Sequence, residues 1–110
     1  MKRIIRNLFI ISLSITLLSF DGWQEHQCKA TWYDTTPHPK VHRHFSTAAF
    51  NIYPKGTYLI VTNNNNKKVD TVMVTDRHHK GPNHIDLSLS SFKKLANPKV
   101  GVIKVTIKKI

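Results

Sequence analysis

The sequence predicts a mainly β fold, a small closed barrel carrying one short helix. Three observations point there. Apolar residues recur in short runs with alternating or adjacent spacing, turn-forming clusters separate those runs, and only one stretch has the three- and four-residue spacing of a helix. With 110 residues the chain has room for one small domain.

The N-terminal segment stands apart from that domain. Lys2, Arg3 and Arg6 precede an apolar run from Leu8 to Phe20 broken only by small hydroxyl residues, the pattern of a secretory signal. The run is short for a membrane span. Residues 1–20 are therefore expected to be a signal peptide or N-terminal anchor, 21–28 a linker and 29–110 the barrel, in a chain exported to the periplasm, cell envelope or exterior. Any membrane association is expected through the N-terminal segment alone.

Lys29 to Tyr33 reads as the first strand, after which Pro37 and Pro39 force an irregular path through His38 to His44. Pro54, Lys55 and Gly56 form a turn that delivers the chain into the run Thr57 to Thr62. The polar stretch Asn63 to Asn66 with Lys67 and Lys68 then reads as a hairpin turn, Asn being tolerant of left-handed backbone, leading into Val69 to Val74. Ser88 is placed to cap a helix with Leu89, Phe92, Leu95 and Ala96 on one face, ended by Asn97 and Pro98. In the tail, Ile103, Val105 and Ile107 alternate with Lys104, Thr106 and Lys108, the signature of a half-buried strand.

Charge and cysteine content narrow the functional classes. One cysteine, Cys28, excludes an internal disulfide framework, so packing alone holds the core. The chain carries 17 basic against 6 acidic residues. Without Lys2, Arg3 and Arg6 the exported part keeps about +8, which calls for a polyanionic partner. For an exported chain the expected partner is a wall polymer, an anionic lipid headgroup or an acidic glycan, with no nucleic acid; the basic residues are dispersed, so a generally basic solvated surface is the alternative, and no oligomer signal departs from a monomer.

The segment richest in chemistry runs from Val72 to Asp76 and Arg77, followed by His78, His79 and Lys80, then Ile85, Asp86, Leu87 and Ser88. It sets a carboxyl group where an apolar strand opens into a cationic loop. Read in order, Ala30-Thr31-Trp32-Tyr33, Ser46-Thr47-Ala48-Ala49, Tyr53-Pro54-Lys55-Gly56-Thr57, Val61-Thr62-Asn63, Val74-Thr75-Asp76-Arg77, Gly81-Pro82 and Ile85-Asp86-Leu87-Ser88, with Phe92 and Leu95, resemble the rare lipoprotein A family. The resemblance implies a six-stranded double-psi β-barrel, shared with expansins and barwin-like proteins. It also implies action on peptidoglycan or another anionic wall polysaccharide, often as a lytic transglycosylase.

On that resemblance the catalytic acid falls on Asp76. Where the family pattern has a histidine after Thr-Ala-Ala, this chain has Phe50; the family's upstream Gly-Glu has no counterpart, and His78 to Lys80 interrupt the Asp-Arg-Gly-Pro signature. Glycosidic cleavage needs an acid for the leaving oxygen, so Asp76 must hold its proton near neutral pH. An apolar strand end favours that and Arg77 opposes it. The alternative reading of Asp76 is an ionised carboxylate that accepts backbone N–H bonds and pairs with Arg77. The supporting set is Trp32, Tyr33, Asp34, His44, Thr47, Arg77 and Asp86. Asp86, just before the helix, also suits its N-terminus, and Asp70 reads as solvated. The histidines of the two loops lack Cys or Glu at a ligand spacing, so neither a metal nor a cofactor is expected. The alternative function is a non-catalytic, expansin-like polysaccharide-binding module with a basic surface.

Overall fold

The computed structural model describes residues 24–34 and 46–110. The expected leader at 1–20, the proline-rich path through 37–44 and the candidate His44 lie outside the described residues. Six strands form the barrel: β1 Glu25–Tyr33, β2 Thr47–Phe50, β3 Tyr58–Asn63, β4 Val69–Asp76, β5 His84–Ser88 and β6 Ile103–Lys109. One helix, α1 Leu89–Leu95, and a single 3-10 turn, Pro98–Val100, connect β5 to β6. Among the described residues, a mainly β barrel with one short helix is thus the fold observed.

The strands close in the order β1-β5-β2-β4-β3-β6. β5 lies parallel to β1 and antiparallel to β2, while β2 lies parallel to β4. β6 closes the barrel, antiparallel to both β1 and β3. Closure leaves each of the six described strands paired on both sides, so among the described residues the sheet has no open edge.

Alternation decides what each strand buries. In β6, Val105 and Ile107 are buried, and in β4 Val72 and Val74 are. β5 sends Ile85 and Leu87 inward, and β2 contributes Ala48 and Phe50. These side chains join Leu59, Val61, Phe92 and Leu95 in one cluster. Burying each large apolar side chain stabilises the fold by roughly 1.5–3 kcal/mol.

The helix begins as expected: the Ser88 hydroxyl accepts the Ser91 N–H. Its far end is held by the asparagine run. The Asn63 and Asn66 side-chain amides both donate to the Leu95 carbonyl, at 3.0 and 2.9 Å. The Asn63 and Asn66 side-chain oxygens also accept the N–H groups of Asn65 and Lys68. The left-handed residue of the turn is Lys67, with φ of 65°, and none of the asparagines. The asparagines build this turn through their side-chain hydrogen bonds.

Three expectations are corrected. β1 begins at Glu25, so four residues read as linker, Glu25 to Cys28, are strand, and Cys28 is buried. Asp70 is tied to the helix, accepting the Ser91 hydroxyl at 2.8 Å with Lys94 at 3.7 Å. Asp86 does not serve the helix N-terminus, whose first turn holds no acidic residue, because its carboxylate turns toward β1 instead.

Candidate functional site

The barrel sets two carboxylates on either side of one alanine. Ala49 of β2 pairs with Asp76 of β4 on one flank and with Asp86 of β5 on the other. Asp86 in turn pairs with Thr31 of β1. A row therefore crosses four strands as Thr31, Asp86, Ala49, Asp76, with the acid backbones two strand spacings apart, about 10 Å. The Ala48/Ala49 register shift against β4 brings Asp76, rather than Thr75, onto this row.

These residues occupy the outer wall, since Ala30, Ile85, Leu87, Ala48 and Val74 fill the interior between them. A second row beside the first holds Tyr33 and Ser88, paired across β1 and β5. The Tyr33 hydroxyl meets the Thr47 hydroxyl at 2.9 Å, and the Thr47 N–H donates to Ser88 Oγ at 3.1 Å. Burial pushes the Tyr33 phenol up, against the lowering effect of the Thr47 hydroxyl. Thr47 and Ala49 are small and buried, so the wall between Tyr33, Asp86 and Asp76 has a low floor.

Asp86 is the best-connected acid of the wall. It accepts a short hydrogen bond from the Thr31 hydroxyl, and Lys80 Nζ lies 3.3 Å from its other oxygen. Burial pushes its carboxyl up, but the Thr31 hydroxyl and the Lys80 ammonium outweigh burial and hold it below the usual carboxylate range. The Thr31 hydroxyl has a single proton, already given to Asp86. His84 Nε2, 2.7 Å from the same oxygen, is therefore the donor, which fixes the Nε2–H tautomer. Burial, then Lys80, push the His84 imidazole down and keep it neutral.

His78 completes the support of this loop. Its Nε2 donates to the His84 carbonyl at 2.7 Å, and its Nδ1 accepts the Lys80 N–H at 3.0 Å. Asn51 clamps the same residue, accepting the His78 N–H and donating to its carbonyl. The three residues that interrupt the signature thus carry Lys80 to Asp86.

The other candidates separate. Asp76 is exposed and accepts the Arg77 N–H at 2.8 Å; no ion pair among the described residues joins it to the Arg77 guanidinium. Trp32 lies on the opposite side of β1 from Thr31 and Tyr33, its indole N–H on the Pro98 carbonyl at 3.0 Å. Asp34 is exposed just beyond the strand. Phe50 is fully buried against His26 and Tyr53, with ring centroids 6.5 and 6.1 Å away. Thr31, His84 and Lys80 are the site residues that the sequence reading missed. Thr31 and His84 lie within two residues of Tyr33 and Asp86, a spacing that places them on the same strand face. Among the described residues no three His, Cys, Asp or Glu side chains are grouped to hold a metal ion.

The family described as lytic transglycolase matches across residues 25–107. Among solved structures, a single-site mutant of the Clavibacter michiganensis expansin in complex with cellohexaose superposes with a TM-score of 0.65 at 20% identity, covering 79% of this chain and 50% of that one. The apo form of that expansin gives 0.64 and 23% over the same shares. The Streptomyces papain inhibitor gives 0.63 and 24%, covering 79% of this chain and 94% of that one. The chain spans about half the length of the expansins it resembles. These likenesses establish the shared barrel. No curated protein sequence matches the chain.

Proposed function

Because the chain belongs to the lytic transglycolase family of double-psi β-barrels, we propose that it acts on cell-wall glycan as an exported protein and binds the polysaccharide along the outer wall of β1, β5, β2 and β4. The observation that carries this reading is the Thr31-Asp86-Ala49-Asp76 row, which offers an alternation of acceptor and apolar floor suited to a sugar ring. An ionised Asp86 accepts sugar hydroxyls, and charge-assisted bonds of this kind are about twice as strong as neutral ones. Lys80 donates beside it. Tyr33 and Thr47 close one end of the groove.

The arrangement favours binding over bond cleavage. A general acid must reach the glycosidic oxygen still protonated, usually because its site excludes water. Asp86 is held in the ionised form, and Asp76 is open to solvent. Phe50 fills the family's histidine position and points into the core.

Family membership keeps a second reading in view, lytic transglycosylase action on peptidoglycan with Asp76 as acid. Asp76 stands across Ala49 from Asp86, the place for an acid opposite a second carboxylate, and a bound glycan covering Asp76 would supply the missing desolvation. Arg77 would then orient substrate oxygens.

Incubating the full chain with peptidoglycan stripped of its stem peptides separates the two. Sedimentation with the wall and no anhydro-sugar ends by mass spectrometry, identical for wild type and Asp76→Asn, is the expected result. Anhydro ends from wild type that disappear in Asp76→Asn would establish the enzyme instead, and failure to sediment would overturn both.

A further inference from the structure

A cleft of about 600 Å³ runs from the Asp86 site toward β6, bounded by Lys29, Lys80, Lys104, Gln27, Asn64 and Asn83. Three lysines are thus among its lining residues. Lys29 and Lys104 are directly opposed across the antiparallel β1/β6 pair, on the same face of the sheet. Like charges so placed destabilise a sheet. No carboxylate relieves them, since the ion pairs among the described residues are Lys80–Asp86 and Lys94–Asp70, and the only other such contact, His84 with Asp86, involves a neutral imidazole.

The backbone holds both lysines in place. The Lys29 N–H donates to the Asn83 carbonyl at 3.1 Å, and the Lys104 carbonyl accepts the Asn64 N–H at 3.0 Å. The loops that carry Lys80 and Asn64 therefore wall the lysine pair on two sides. Asn64, Gln27 and Thr106 are hydrogen-bonded together at the far side of the cleft. Lys80 belongs to the cleft and to the Asp86 site alike, which makes the two continuous.

We propose that this cleft is an anion subsite, taking a carboxylate or phosphate borne by the glycan in the neighbouring groove between Lys29 and Lys104, with Lys80 at the junction. The assignment rests on the glycan reading above. It adds the place where the negative charge of that glycan is held, beside a groove that takes the sugar rings themselves. An anion between Lys29 and Lys104 converts their repulsion into two attractions, and the Gln27 and Asn83 amides supply donors at the rim.

Binding of the full chain to polygalacturonate, to poly(ribitol phosphate) and to neutral chitohexaose tests it, using Lys29→Gln/Lys104→Gln against Lys55→Gln/Lys93→Gln, exposed lysines outside the cleft. The cleft variant is expected to lose affinity for the anionic polymers by about fivefold or more, as two exposed ion pairs would give. The control should stay within about twofold, and chitohexaose binding should not change. Loss toward one polymer alone identifies the charged group as carboxylate or phosphate. Lys29→Glu should raise Tm by pairing with Lys104 while weakening anion binding further, a combination that misfolding cannot produce. Equal losses in cleft and control variants overturn the subsite and leave the glycan groove standing. Cleft-dependent anion binding without chitohexaose binding overturns the groove and leaves the subsite standing. Duplex DNA held more tightly than either polymer through the same lysines overturns the glycan assignment.

Discussion

Replacing Thr31 by valine keeps the shape of the side chain and removes one hydroxyl, which here serves two partners. Asp86 loses the donor of its short hydrogen bond, and His84 Nε2–H loses its acceptor. The Asp86 side chain is only 15% exposed, so water replaces the lost donor poorly. A hydrogen bond to a charged acceptor contributes roughly 1.5–3 kcal/mol, and Thr31→Val is expected to cost about 2 kcal/mol at pH 7. In a domain of this size that lowers Tm by about 10 °C.

The pH dependence of that cost is the sharper test. The folded-state pKa of Asp86 is depressed, so its stabilisation is fully present above the unfolded value of about 3.9 and is lost as pH falls through the lower folded value. The gap between wild type and Thr31→Val should hold from pH 7 to pH 5 and then narrow as Asp86 takes up its proton, a neutral hydrogen bond being worth about half as much. Lys80→Ala should cost less than about 1 kcal/mol throughout, because the lysine is half exposed. Urea titrations followed by tryptophan fluorescence at pH 7, 5, 3 and 2 give these values. A gap that stays constant across the series, or one below about 0.5 kcal/mol at pH 7, would refute the account of Thr31 as the group holding Asp86 ionised.

Asn63→Ala removes a buried amide that donates to Leu95 and accepts from Asn65, and should lower stability by about 1–3 kcal/mol, read from the urea midpoint. Phe50→His restores the family's histidine in a fully buried position; it should cost about 3 kcal/mol and yield no cleavage products, with the loss growing below about pH 6.5 because burial disfavours the charged imidazole. Burial also pushes the Cys28 thiol up, so iodoacetamide should label the native protein far more slowly than the urea-unfolded chain at pH 8, with comparable rates disproving the burial of β1 at that residue.

Local pattern revealed the elements whose period is long enough to read. β6 alternates over seven residues, and Ser88 caps the helix through the Ser91 N–H as its hydroxyl suggests. β2 and β5 have only four and five residues, too few for a period to identify them. The site divides in the same way. Asp76 and Asp86 were recognisable as acids beside apolar runs, but their relation through Ala49 depends on pairing between strands distant in sequence. Only the helix role expected of Asp86 fails, because a neighbouring helix start is visible in the sequence and a partner 55 residues away is not. Trp32 illustrates the reverse, an aromatic next to the site in sequence whose ring belongs to the 3-10 turn.

β5 enters between β1 and β2, two strands that precede it by more than thirty residues, and it is parallel to the first and antiparallel to the second. Nothing made before residue 84 can therefore bring Thr31 beside Asp86 or set the two acids around Ala49. A nascent or truncated chain carries all the earlier side chains yet no such row, and on the proposed function any binding to the wall would begin only when the late strand is seated. Wall retention of a C-terminal deletion series should consequently vanish in one step rather than decline by degrees, which makes binding itself a reporter of completed folding.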